Sequence, residues 1–249
     1  MSPPGSARFD RLDALRGVAI VWMAAFHFAF DLNHFRFIRE NFYTDPFWTW
    51  QRAMIVTLFM FCAGLGQAVA IAQGQSWPRF WRRWAQVAGC ALLVSAGSYL
   101  MFQKSWISFG VLHGFAVMLV IARLAAPLTR RDGGLLALGV LAIVALALPH
   151  LVSHPFFDTR LTNWVGLVTR KPVTEDYAPV LPWIGVVLLG LVAGTLALRR
   201  RPAWLSGLIP SPLRPLALLG RWSLSFYMVH QPVFIGLLML VVWVRGGTA

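Results

Sequence analysis

His27, His113 and His230 are the histidines that fall inside long apolar runs, and histidine is the side chain best suited to move a proton near neutral pH. Asp31 follows His27 by one helical turn, and Arg16 precedes it by eleven residues. At 100° per residue, eleven steps return to within about 20° of one face and advance about 16 Å along a helix axis. With Arg16 at a water boundary, His27 sits near the middle of a hydrocarbon layer roughly 30 Å thick. Ionisable groups in a span are costly and mark function by default. A histidine base, a carboxylate within reach to orient it and a cation on the same helix suit proton abstraction from a hydroxyl or amine during group transfer. The plainer reading stays open, in which His27 is a satisfied polar residue between packed helices.

The segment GRWSLSFYMVHQP, residues 220–232, adds a second set. Ser223, Tyr227 and His230 share one helical face at i, i+4 and i+7, which suggests a lined cavity or a hydrogen-bond chain between helices. His113, in SFGVLHGF, lies about 10 Å below the outer boundary, and His230 about 13 Å above the inner one. Three histidines from three helices could therefore meet in one layer, with Gly110, Gly114 and Gly220 allowing close helix approach. A three-histidine metal site is conceivable. No His-x3-His pair or acidic clamp occurs within a span, however, and no metal is expected. No P-loop, GxGxxG, GxSxG or HExxH signature is present.

These residues need apolar elements to position them, and the composition supplies them. Of 249 residues, 58% are hydrophobic and only 12% charged, with a mean hydropathy of +0.65. That is half the charge of a soluble domain, so the chain reads as an all-α integral membrane protein. The formal charge of +13 invites a nucleic-acid partner. The basic residues nevertheless stand in short clusters between apolar runs, the pattern that fixes membrane orientation, so no nucleic acid is expected. Cys62 and Cys90 lie in apolar stretches as buried thiols rather than a disulfide framework. The first apolar run is interrupted by charge and lacks a small-residue cleavage site, so it is expected to be retained as a span.

The chain is organised around residues 8–34, the first span, running from about Leu12 to Asp31. Six more are expected at about Phe47–Ala72, Phe80–Phe102, Trp106–Ala126, Gly133–Leu148, Pro179–Leu198 and Gly220–Val244. The last is expected to kink at Pro232, and a turn back at Gln231-Pro232 would make eight spans. Residues 1–249 read as a single polytopic bundle of seven or eight helices. An inner N-terminus puts 14 Lys and Arg residues inside and 8 outside, including the clusters at 79–83 and 199–201 on the inner side. All six histidines then fall at mid-depth or on the outer side, with most of the acids, among them Asp158, Glu175 and Asp176. The loop from about 149 to 178 faces outward and is long enough to form a lid or an acceptor-binding surface.

RLDALRGVAIVWMAAFH, residues 11–27, resembles the opening of the transmembrane acyltransferases, which include heparan-alpha-glucosaminide N-acetyltransferase and the acyltransferase-3 proteins. Arg16 and His27 match the Arg-x10-His pattern of the latter. FGVLHGFA, DYAPVLPWIGVVLLGLVAG and GRWSLSFYMVHQP look like further blocks of the bacterial branch related to the heparan enzyme. The resemblance implies a multi-pass enzyme of the bacterial inner membrane. Such an enzyme takes an acyl group, acetyl above all, from cytoplasmic acyl-CoA and passes it to an extracytoplasmic sugar. Arg16 would lie toward the acyl-CoA, with Arg11, Ser223 and Tyr227 as further candidates for holding it. His27 would be the catalytic histidine, with Asp31, His113 and His230 beside it. The heparan enzyme uses a histidine just beyond the first helix, where this chain offers His34, so both His27 and His34 stay candidates. The competing class is a transporter or proton-coupled channel that relays protons through its intramembrane histidines. A homodimer in the bilayer is left open.

Overall fold

Residues 10–34 contain no proline and a single glycine, and Asp10 and Asp13 stand in the first turn, where a carboxylate complements the helix dipole. In the computed structural model, which describes residues 9–246 apart from 102, 175 and 208, this stretch is helix α1, Asp10–His34. It stops where Arg36 takes a φ of 62° and the Arg36 and Phe37 N–H groups close back on the Asn33 and Leu32 carbonyls. Arg8, Phe102 and Glu175, named above, lie outside the described residues.

The remaining helices are α2 Pro46–Ala72, α3 Trp77–Met101, α4 Val111–Leu124, α5 Asp132–Leu151, α6 Val180–Arg200, α7 Ala203–Ser206, α8 Arg214–Arg221 and α9 Ser223–Val244. Six of these, α1, α2, α3, α5, α6 and α9, are long and apolar enough to cross a membrane. The chain is thus an all-helical, multi-pass membrane protein.

The helix at the expected fourth span is shorter than expected. Helix α4 has 14 residues, about 21 Å of rise, against the roughly 30 Å of a hydrocarbon core. Side chains hold residues 106–110 off the helix. Ser98 Oγ accepts from the Ile107 N–H, and the Val111 N–H is taken by Asp176 Oδ2 at 2.6 Å. The expected seventh span is also divided, because the Trp222 N–H bonds to the Leu219 carbonyl and tightens the last turn of α8. Pro232 produces no turn back, since α9 continues through it.

The helices pack as two compact units, Met1–Leu58 with Ser206–Ala249, and Phe59–Leu205, so that α2 belongs to both. In the first, α1 packs on α8 and α9. The α1–α8 crossing is close enough that a Cβ on Gly17 would strike the Leu216 carbonyl oxygen, and one on Gly220 the Asp13 carbonyl oxygen. Leu12, Ile20, Met23, Phe26 and Phe42 fill this core. The Trp22 indole N–H donates to Gln51 Oε1 at 3.0 Å, tying α1 to the start of α2.

In the second unit α3 packs on α4, and α6 on α5 and α4. Gly64 lies against Val187 and Gly190 of α6, where the absence of a Cβ lets the two helices approach closely. Met60, Met118, Leu138, Val187 and Leu191 are its buried centre, while Leu92, Leu93, Leu136 and Val140 point outward as an apolar exterior.

Candidate active site

In the first unit α1 and α9 bring His27 and His230 together. Nδ1 of His27 lies 2.7 Å from Nε2 of His230, and the rings are nearly parallel at 12°. The protons can be placed by following the chain one bond further. His230 Nδ1 is 2.7 Å from the Tyr227 carbonyl oxygen, which can only accept, so Nδ1 carries the proton. In neutral His230 this leaves Nε2 as an acceptor, and His27 Nδ1–H must donate to it. The proton of neutral His27 is thereby fixed on Nδ1, and its Nε2 keeps an open lone pair, with no hydrogen bond among the described residues. Phe226 stacks on His230 at 7° and Phe234 meets it edge-on, holding the ring in place. His230 is 5% exposed, whereas His27 is half-buried and so more accessible to a reactant.

Asp31 does not orient His27, as the i,i+4 spacing suggested. Its Oδ1 accepts from Gln231 Nε2 at 2.7 Å, across the same pair of helices. The neighbouring helix offers a full hydrogen-bond donor, whereas the one N–H of neutral His27 is spent on His230 and its Nε2 has no proton to donate. Asp31 is 3% exposed, and its Oδ2, like Gln231 Oε1, is buried without a partner among the described protein groups. Gln231 is the functional candidate that sequence reasoning missed. Its only signal is adjacency to His230.

At the other end of α1, Arg16 Nη1 pairs with Asp13 Oδ1 at 3.1 Å, one turn away on its own helix. Arg221 of α8 bonds to Asp10 at 2.8 Å and approaches Asp13 at 3.6 Å. Two guanidinium groups thus face two carboxylates, and Arg11 lies exposed in the first turn of α1. Ser223 opens α9, and Tyr227 contributes its backbone carbonyl to the histidine chain. His34 is the last residue of α1 and is exposed, with its ring against Phe35.

His113 belongs to the second unit and is held there by bonds of its own. Its Nδ1 accepts from the Gly110 N–H at 3.2 Å, and Ser95 Oγ lies 3.1 Å from its Nε2. Ser95 Oγ in turn donates to the Ile107 carbonyl. A proton on Nε2 satisfies every member, so Nδ1 is spent on the start of α4 and Nε2 on Ser95 of α3.

In the loop between α5 and α6 of this unit the carboxylate of Asp158 accepts from the Thr169 hydroxyl and N–H and from the Arg170 N–H. Those bonds, led by the Thr169 hydroxyl, hold its carboxyl below the usual carboxylate range. Tyr177 donates to the Asn163 carbonyl, and burial pushes its phenol up to about 12. Among the described residues no group of three His, Cys, Asp or Glu side chains is arranged to hold a metal ion.

Compared with known proteins, the chain matches the family described as heparan-alpha-glucosaminide N-acetyltransferase, catalytic, over residues 8–232. The match takes in Arg16, both paired histidines and Gln231. No curated protein matches, nor does any solved structure. Members of this family are membrane N-acetyltransferases that use acetyl-CoA. The chain belongs to the heparan-alpha-glucosaminide N-acetyltransferase catalytic domain family.

Proposed function

We propose that the protein transfers the acetyl group of cytoplasmic acetyl-CoA to an amine or hydroxyl of a sugar on the far side of a bacterial inner membrane, with residues 1–249 acting as one transmembrane domain and the N-terminus inside. The observation that carries this is the ordered chain from the Tyr227 carbonyl through His230 to His27, which leaves His27 Nε2 as a base. In the transfer, the acceptor's lone pair forms a bond to the thioester carbonyl carbon as the carbon–sulfur bond breaks. His27 Nε2 takes the proton that the acceptor loses, and that proton then passes to the departing CoA thiolate. The imidazolium formed at His27 keeps its Nδ1–H bond to His230 Nε2, so the neighbouring ring stabilises the charge or takes up the Nδ1 proton.

His27 is preferred over His34 because His27 has an orienting partner and partial burial, whereas His34 stands exposed at a helix end. Arg11, Arg16 and Arg221 supply positive charge for the CoA phosphates at the end of α1 opposite Asp31. With the short helix α4 counted as a seventh crossing, the clustering of Lys and Arg at 79–83 and 199–201 supports the inside-facing N-terminus.

The test uses the full chain in detergent, with labelled acetyl-CoA as donor and glucosamine as the probe acceptor. Wild type and His34→Ala should form acetylglucosamine, and His27→Ala should bind acetyl-CoA but not transfer. Transfer that survives in His27→Ala and disappears in His34→Ala would move the site to the outer end of α1. Wild-type protein that binds no acetyl-CoA would overturn the transferase reading.

A further inference from the structure

The bond between Asp31 and Gln231 is a second polar rung between α1 and α9, one helical turn beyond the histidine rung, or about 6 Å along α1. The two rungs differ in what they leave over. The histidine rung leaves one nitrogen lone pair. The Asp31–Gln231 rung leaves two oxygens, Asp31 Oδ2 and Gln231 Oε1, both buried and both without a partner among the described protein groups. A buried oxygen with no donor is expensive, more so on a carboxyl group, and such groups in a native fold are kept for a reason. Helix glue alone does not supply one, because the bond from Gln231 Nε2 to Asp31 Oδ1 already joins the helices. A leucine pair would join them with no oxygen left over.

We infer that Asp31 and Gln231 form the subsite that recognises the acceptor, accepting hydrogen bonds from N–H and O–H groups of an amino sugar while His27 faces the group to be acetylated. The inference rests on the transferase reading and deepens it. Two acceptors next to a base select a donor-rich ligand. An amino sugar, with an amine flanked by hydroxyls, offers several donors on adjacent carbons, and a bare alcohol or water offers fewer. Asp31 and Gln231 are in this view determinants of specificity, because they bind the acceptor without handling the transferred proton. Specificity of this kind is strong, since an acceptor lacking the right donors leaves the oxygens unpaired in a dry site.

The experiment compares wild type, Asp31→Asn and Gln231→Met in detergent. Asparagine keeps an oxygen for Gln231 and the shape of the side chain, but turns the unpartnered oxygen into a donor. Methionine keeps the length of glutamine and removes its oxygen. For each protein the glucosamine KM and kcat, the acetyl-CoA affinity and the Tm shift produced by glucosamine are measured. The glucosamine KM should rise roughly ten- to a hundredfold in each variant and its Tm shift should vanish, with acetyl-CoA affinity within about twofold of wild type. An unchanged KM in Asp31→Asn, or a uniform loss of Tm, kcat and acetyl-CoA affinity, would make the rung purely structural and sink the inference while the transferase reading stands. Wild type that binds glucosamine through Asp31 but neither binds acetyl-CoA nor transfers would leave the subsite in place and remove the reading. Wild type that shows no Tm shift with glucosamine and no transfer to it overturns the subsite.

Discussion

His27 and His113 both sit in short hydrogen-bond chains, one in each unit, yet the two chains leave the rings in opposite tautomers. His27 passes its Nδ1 proton to another side chain 203 positions away, and its Nε2 keeps a lone pair. His113 accepts a backbone N–H at Nδ1 and spends Nε2 on Ser95, so no basic nitrogen remains. The same contrast runs through the carboxylates. Asp31 retains an unpartnered oxygen, whereas Asp176 caps the Val111 N–H at the start of α4. An intramembrane histidine is therefore not informative by its presence. What separates chemistry from architecture is whether a ring nitrogen is left with a lone pair to offer.

The largest expected effect breaks or upholds this contrast directly. His27→Ala should lower acetyl transfer by roughly 10²–10⁴-fold with little change in Tm, because a general base is lost. His113→Ala should change the rate only a few-fold but destabilise the protein by about 1–2 kcal/mol, read as a lower Tm, because the Gly110 N–H loses its acceptor. Equal losses of rate in the two variants would erase the distinction.

The histidine pair comes next. His230→Phe should reduce kcat by roughly ten- to a hundredfold, since the bond that orients and stabilises His27 is removed. His230→Gln, whose carbonyl can accept from His27 Nδ1, should recover part of it. If the two variants behave alike, the bond from His27 Nδ1 is idle.

A smaller effect is expected at the charged end of α1. Arg16→Ala should weaken acetyl-CoA binding by about two- to fivefold without altering kcat, in line with a partly exposed ion pair. A change in kcat alone would place Arg16 in the chemistry instead of the entrance.

The smallest effect belongs to Asp158, whose loop bonds hold its carboxyl below the ordinary value. A depressed folded-state value means that the contribution to stability is complete above the unfolded value near 3.9 and is lost as pH falls through the lower folded value. Protection from hydrogen exchange at Thr169 and Arg170, taken relative to the intrinsic rate at each pH, should therefore fall below about pH 4, and Thr169→Val should weaken this dependence. A protection factor that stays flat from about pH 5 to about pH 2 would show that Asp158 orders nothing.

The spacing of Arg16 and His27 and the run Ser223–Tyr227–His230 were legible because helical periodicity and hydropathy are local properties. The partner of His27 was not. The i,i+4 rule points to Asp31, but the bond made is with a ring on another helix, and contacts across 203 residues have no periodic signature. Gln231 was hidden for the same reason, since an amide beside a histidine becomes meaningful only when Asp31 is found opposite it. The length of α4 was misread because hydropathy carries apolar residues 106–110 into the span. The carboxylate that caps Val111 instead comes from Asp176, 65 positions later.

The separation of the two paired histidines also sets an order of events in biosynthesis. His27 leaves the ribosome 203 residues before His230, which at typical synthesis rates is about 10–40 s. Throughout that interval the first helix carries an imidazole whose tautomer nothing yet dictates. On the proposed function the ring becomes a directed base only when α9 inserts and Phe226, His230 and Phe234 arrive together. On the proposed function, activity is thereby tied to insertion of α9, and a translation product that stalls before α9 carries the histidine but no working centre.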